Sequence, residues 1–257
     1  MPVNINKFLE KGYDIVPAEN IDLLIGLRDE IAKQAKILAG IGDPDQDSDK
    51  FLNSYHSLEM QGSALNQHRV NLVKYCTEEM DIGQTLFDAF HDTIINLIGP
   101  DIVVQKVTNL VIQQPEDPDI TLTHRDAPLN SPFEIIMWLP LVDVYGSKSM
   151  YVLDRQESAK ALDILKEPQS GYEEYKKYAG EHGEDLEVPF GSACFFWPGL
   201  IHGCHINQIQ ETRWSLNIRY KNLFSPVGPK GLGEFFDLLT LSPLARIGLE
   251  FERNTVS

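Results

Sequence analysis

Residues 133–144 constrain this chain more than any other stretch. They read FEIIMWLPLVDV, with Ile135, Ile136, Met137, Trp138, Leu139, Leu141 and Val142 in close succession. A short apolar run of this kind reads as a strand buried on both faces. Such a strand needs neighbours on either side and packed layers above and below it. The surrounding sequence offers both. Residues 102–113 are rich in β-branched side chains and read as one or two strands; 150–153, 193–197 and 213–221 read as further ones.

Helices are expected on the other side of Pro100. Leu23, Leu24, Leu27, Ile31, Ala35 and Leu38 fall at helical spacing over 21–39, with Asn20 as N-cap and Gly40 as stop. A second helix is expected over 82–98, opened by Asp81 with Gln84 and closed by Gly99 and Pro100. Between them, the acidic stretch 42–50 reads as a solvated loop, since it lacks the closing Glu of a calcium-binding loop. The charged segment 156–182 reads as a helical or irregular insertion between strands, and 231–251 as a tail with one short helix.

The expected architecture is therefore mainly β with flanking helices, organised as a double-stranded β-helix, the jelly-roll or cupin-like core. One domain is expected to span 1–257. It would have a helical part at 1–100, a barrel core at 101–225 with an insertion at 156–190, and a tail at 226–257.

The net charge of −16 is set by 22 basic and 38 acidic residues. Such a surface repels phosphate backbones and anionic membranes, so nucleic acid is not an expected partner. No apolar stretch is long enough to span a bilayer. The first residues, MPVNINKFLEKGYDIV, lack a basic start followed by an apolar run and are not expected to be a signal peptide. Cys76, Cys194 and Cys204 are three in number and widely spaced, so no disulfide framework is implied and a cytoplasmic location is expected. The sequence leaves the oligomeric state open.

Three features carry chemistry. His124 and Asp126 are two residues apart, and both point the same way if the backbone there is extended. Arg125 between them points away. In a chain with 7 His, one such pair can arise by chance. His182 and Glu184 form a second pair of the same spacing, in a segment without strand character. The next feature is His202, just after the apolar run at 194–198, with His205 as its rival. Two His and one carboxylate form the facial triad of non-haem iron sites. Cys204 nearby is a structural thiol or a soft-metal ligand. The last feature is the strict alternation at 213–220. Arg213, Ser215, Asn217 and Arg219 share one face; Trp214, Leu216, Ile218 and Tyr220 share the other. A polar face inside a barrel is costly unless it lines a functional cavity, although the solvated side of an edge strand reads the same. His56, His68 and His91 read as packing or surface residues.

The stretches SPFEIIMWLPLVDVYGSKSMYVL (131–153), ETRWSLNIRYKNLFSPVG (211–228), LGEFFDLLTLSPLARIGL (232–249) and KFLEKGYDIV (7–16) add to these motifs. With them, the chain resembles the phytanoyl-CoA dioxygenase-like branch of the iron(II)/2-oxoglutarate oxygenases. It is most similar there to a bacterial group found sporadically in carbohydrate biosynthesis clusters. The resemblance implies that His124, Asp126 and His202 are the metal ligands and hold iron(II). It implies that Arg213, helped by Ser215, anchors the far carboxylate of 2-oxoglutarate, with O2 as the other cosubstrate. An Asp at 126 implies hydroxylation or a related oxidation rather than halogenation, and the family resembled implies a small, carbohydrate-related substrate. Lys148, Tyr151, Asn217 and Arg219 are candidates for contact with it. Arg125 departs from the smaller residue common in relatives. A zinc hydrolase using the same three ligands and a non-catalytic binding jelly roll are the competing readings.

Overall fold

The computed structural model describes residues 2–41, 47–60, 62–167, 171–226 and 228–255. The helices are α1 (Ile5–Lys11), α2 (Ile21–Leu38), α3 (Ser48–Asn53), α4 (Gly62–Glu78), α5 (Ile82–Ala89), α6 (His91–Ile98), α7 (Arg155–Lys166), α8 (Gly171–His182) and α9 (Pro243–Thr255). The strands are β1 (Tyr13–Pro17), β2 (Ile102–Gln105), β3 (Asn109–Gln113), β4 (Glu134–Pro140), β5 (Met150–Val152), β6 (Glu184–Asp185), β7 (Ser192–Phe196), β8 (His202–Cys204), β9 (Arg213–Asn222) and β10 (Phe236–Thr240).

Two antiparallel sheets result. The seven-stranded sheet runs β1-β7-β4-β9-β2-β10, with β3 also paired to β9; the three-stranded sheet runs β6-β5-β8. Every residue of β4 is buried, as its apolar run requires. β9 is the hub. One of its edges is covered by β4, while β3 pairs with its first half and β2 with its second. The helical half packs on the apolar face of β9: Trp214 meets the Tyr55 ring edge-on at 5.0 Å, and its Nε1 donates to Leu52 O at 3.0 Å. Tyr220 reaches over to α5, where its hydroxyl donates to Gly83 O at 2.9 Å. Among the described residues no helix is long and apolar enough to cross a membrane.

Several expectations are corrected. The sheet is not confined to 101–225. Tyr13–Pro17 forms one edge of it against β7, and Phe236–Thr240 forms the other against β2. Both segments are five residues long, too short for periodicity to separate strand from helix. The helix expected over 82–98 is two helices, broken at Phe90. The break has a cause distant in sequence. The Glu19 carboxylate accepts from the backbone N–H groups of Asp92 and Thr93 at 2.8 and 3.0 Å, so α6 starts afresh with its own cap. Meanwhile the Glu19 N–H donates to Ala89 O at 2.8 Å and satisfies the end of α5. The acidic stretch at 42–50 is partly helix: Asp47 caps α3 by accepting from Lys50 N, while 42–46 lie outside the described residues. The insertion is a pair of helices, α7 and α8, packed on Tyr151, Leu153 and Ile201.

Candidate metal centre

The segment 121–127 is stitched to the chain around β8. His124 and His202 face each other across an isolated antiparallel bridge, each N–H donating to the other's carbonyl at 2.9 Å. Cys204 N donates to Thr121 O, and Ala127 N to Pro198 O, both at 2.9 Å. This pairing places the two imidazoles on one side, with ring centroids 4.2 Å apart. Asp126 is two residues along the same extended segment and joins them. Its Oδ1 lies 4.0 Å from His124 Nε2, and its Oδ2 lies 4.0 Å from His202 Nε2. Arg125 is exposed on the outside, as its spacing requires.

The three side chains are prepared to hold a cation. The Nδ1 of His124 lies 2.8 Å from Leu122 O, and that of His202 lies 3.1 Å from Leu200 O. A carbonyl only accepts, so each Nδ1 carries the proton and each Nε2 offers its lone pair. Burial, and then the neighbouring His124, hold His202 well below the usual imidazole range, so it stays neutral and able to ligate. Asp126 Oδ1 accepts from Arg219 Nη2 at 2.9 Å. Its Oδ2 is buried without a partner. A gap of 4.0 Å is too long for a hydrogen bond, so the ring nitrogens do not satisfy that oxygen. Two imidazoles and one orphaned carboxylate oxygen, all within 4.8 Å of one another, suit a borderline divalent metal such as iron(II). Among the described residues no other three such side chains are brought together.

The triad opens into a cavity of about 200 Å³ that Cys204, Arg213, Asn217 and Arg219 also line. Arg213 is 2% exposed. Its Nη1 donates to Ser149 O at 3.3 Å and to Cys204 Sγ at 3.1 Å, while its Nε is buried without a partner. No carboxylate among the described residues pairs with it. A buried guanidinium without a counter-ion is costly unless a ligand supplies one. The Ser215 hydroxyl, on the same face of β9, is also buried and unpaired. A larger, more open depression of about 580 Å³ lies by Met80, Val104 and Leu238, without such a cluster.

The remaining candidates fall elsewhere. His205 pairs with Asp185 at 3.3 Å and stacks on Tyr151, so it does not join the triad. His182 stacks on Tyr178, and Glu184 accepts from the Tyr13 hydroxyl, so that pair is structural. Lys148 is wholly buried but points to Glu211 and Asn53, both at 2.6 Å, not into the cavity. The Tyr151 hydroxyl is engaged with Thr123 at 2.6 Å. Arg219 lines the cavity but serves Asp126 and, through its Nη1, Gln105. Of the four candidate substrate contacts, Asn217 and Arg219 each keep one buried atom without a hydrogen bond, Oδ1 and Nε. Sequence reasoning missed Glu134, which lies behind Arg219 at 3.9 Å. Burial pushes its carboxyl above the usual range, opposed by the Ser131 N–H and Arg219. It also missed Asn109 and Gln113, which sit opposite Asn217 and Arg213 across the β3–β9 ladder. Their alternation with Leu110 and Ile112 was the available signal.

No protein-family model and no curated protein matches the chain. Solved structures share its fold. The carbocyclase SnoK from nogalamycin biosynthesis, described as non-heme and alpha-ketoglutarate dependent, superposes with a TM-score of 0.54 at 15% identity, over 93% of this chain and 100% of that one. The nickel complex of the non-heme monooxygenase ThoJ gives 0.52 at 15% identity, over 98% and 94%. EctD from S. alaskensis, solved with 2-oxoglutarate and 5-hydroxyectoine, gives 0.50 at 14% identity, over 86% and 77%.

Proposed function

We propose that this chain is one oxygenase domain of the phytanoyl-CoA dioxygenase-like branch, built on a double-stranded β-helix and dependent on iron(II) and 2-oxoglutarate. One observation carries the reading. A three-ligand cluster with an orphaned carboxylate oxygen shares a small cavity with a buried arginine that has no counter-ion. Each lacks what the other's ligand would bring: a divalent cation at one end and a carboxylate at the other. The names of SnoK and EctD, which mention alpha-ketoglutarate and 2-oxoglutarate, support the same cosubstrate here.

In this reading His124, Asp126 and His202 hold the iron through the two Nε2 atoms and Oδ2. Iron(II), with 2-oxoglutarate and dioxygen, supplies the oxidative decarboxylation to succinate and carbon dioxide that drives oxidation of a substrate C–H bond. The protein does the rest. Arg213 offers its free Nε edge to the far carboxylate of 2-oxoglutarate, and Ser215 offers a hydroxyl beside it. Arg219 holds Asp126 Oδ1, which leaves Oδ2 as the ligand atom. Leu122 O and Leu200 O fix both imidazole tautomers. The apolar walls Val111, Trp138 and Met150 keep the cavity dry, which strengthens every charge interaction inside it. The cavity is smaller than the roughly 300–1,000 Å³ of a drug-sized site, so it suits the cosubstrate, and the substrate enters from the mouth. We place that substrate among small carbohydrate-related molecules, on the resemblance of 131–153 and 211–228, and hydroxylation as the outcome. A reducing cytoplasm is the compartment we propose, since Cys76, Cys194 and Cys204 are all free and buried.

The test is spectroscopic. Protein purified without oxygen and given iron(II) and 2-oxoglutarate should develop a weak visible charge-transfer band. His202→Ala should lose it. Arg213→Ala should show it only at much higher 2-oxoglutarate. One bound metal per chain with no such band would overturn the cosubstrate assignment in favour of a hydrolytic metal site.

A further inference from the structure

Cys204 is the one thiol that lines the cavity, in the wall it shares with the metal ligands and the anchor. Its neighbour on the same face of β8 is His202, two residues back and therefore roughly 6.6 Å away along the strand. Its Sγ accepts from Arg213 Nη1 at 3.1 Å. The guanidinium is thus propped on the sulfur, with Ser149 O as the only other support of that nitrogen. The Arg213 Nε and the Ser215 Oγ remain buried and unpaired, as groups awaiting a ligand do. Met150 lies directly opposite Cys204 across β5–β8 and lines the same cavity, which closes the wall behind the thiol.

We propose that Cys204 sets the chain length of the 2-oxo acid that the site accepts. The inference rests on the oxygenase reading and deepens it. A dicarboxylate bound between the triad and Arg213 must match a fixed span. One extra methylene adds about 1.3 Å to that span, given carbon–carbon bonds of about 1.5 Å. Close-packed walls cannot yield that distance freely. A misfit of one methylene costs roughly 10–200-fold in affinity. Shortening residue 204 removes the prop, so the guanidinium is no longer fixed at one distance from the metal ligands and can shift to admit a six-carbon acid.

The experiment compares 2-oxoglutarate with 2-oxoadipate by calorimetric titration of protein loaded with nickel(II), which holds the oxo acid without turnover. The wild type should prefer 2-oxoglutarate by about tenfold or more. In Cys204→Ala the preference should shrink by about tenfold, chiefly through tighter 2-oxoadipate binding. Cys204→Ser, which keeps an acceptor for Arg213, should retain the wild-type preference. Cys204→Val, which fills the space, should continue to reject 2-oxoadipate. An unchanged preference in Cys204→Ala, with 2-oxoglutarate still bound, overturns this inference and leaves the oxygenase reading standing; so does a Val variant that accepts the longer acid. A nickel-loaded wild type that binds neither acid overturns both.

Discussion

Trp214 and Arg213 are adjacent on β9 and stand in opposite circumstances. Trp214 belongs to the face with Leu216, Ile218 and Tyr220. Both polar atoms on that face are satisfied, by Leu52 O and by Gly83 O. Arg213 belongs to the face with Ser215, Asn217 and Arg219. Each of these four keeps a buried atom without a hydrogen bond: Nε, Oγ, Oδ1 and Nε. An unpaired buried polar atom costs roughly 1–3 kcal/mol. The apolar face holds the helices to the sheet. On the proposed reading, the polar face gives up stability in exchange for a ligand site.

The contrast is sharpest in paired substitutions. Trp214→Ala should destabilise the protein by roughly 3–5 kcal/mol in denaturant unfolding, through the cavity it leaves. Arg213→Met, similar in size and without charge, should leave stability unchanged or raise it, while 2-oxoglutarate binding is lost. Equal destabilisation by the two would break the comparison. Arg219→Met tests the end of the polar face nearest Asp126. Residues that hold a metal ligand from behind typically contribute 10–100-fold to metal affinity. Removing the 2.9 Å bond to Asp126 should therefore weaken nickel(II) binding by about that factor, read by competition with a chelator. An unchanged affinity would make Arg219 a substrate contact after all. Ser215→Ala is the smallest step. It deletes one hydrogen bond to the cosubstrate, about 1 kcal/mol, and should weaken 2-oxoglutarate binding by about fivefold with no loss of stability.

Much of this was legible locally. The two-residue period of β9 separates its faces in the sequence, and the same period joins His124 to Asp126. The choice of His202 over His205 follows from parity along β8, which puts His202 and Cys204 on one face. What escaped the sequence depends on partners far along the chain. The register of β3 against β9 brings Asn109 and Gln113 to the polar face, and register is not written in either strand alone. Glu19 breaks the helix at Phe90 from 73 residues away along the chain, through a cap that no local pattern announces. Lys148 and Arg219 read as candidate substrate contacts, yet Glu211 and Asn53 draw Lys148 into the interior, and the Asp126 carboxylate claims Arg219.

The central claim is that the triad and the polar face of β9 hold a single ligand between them. Titration of 2-oxoglutarate into the protein with and without nickel(II) tests this most directly. The expected result is tight binding that requires the metal, and that is lost in Arg213→Met although the metal still binds. Binding of equal strength with and without metal, or full binding in Arg213→Met, would show that the two ends of the cavity do not share a ligand and would contradict the account.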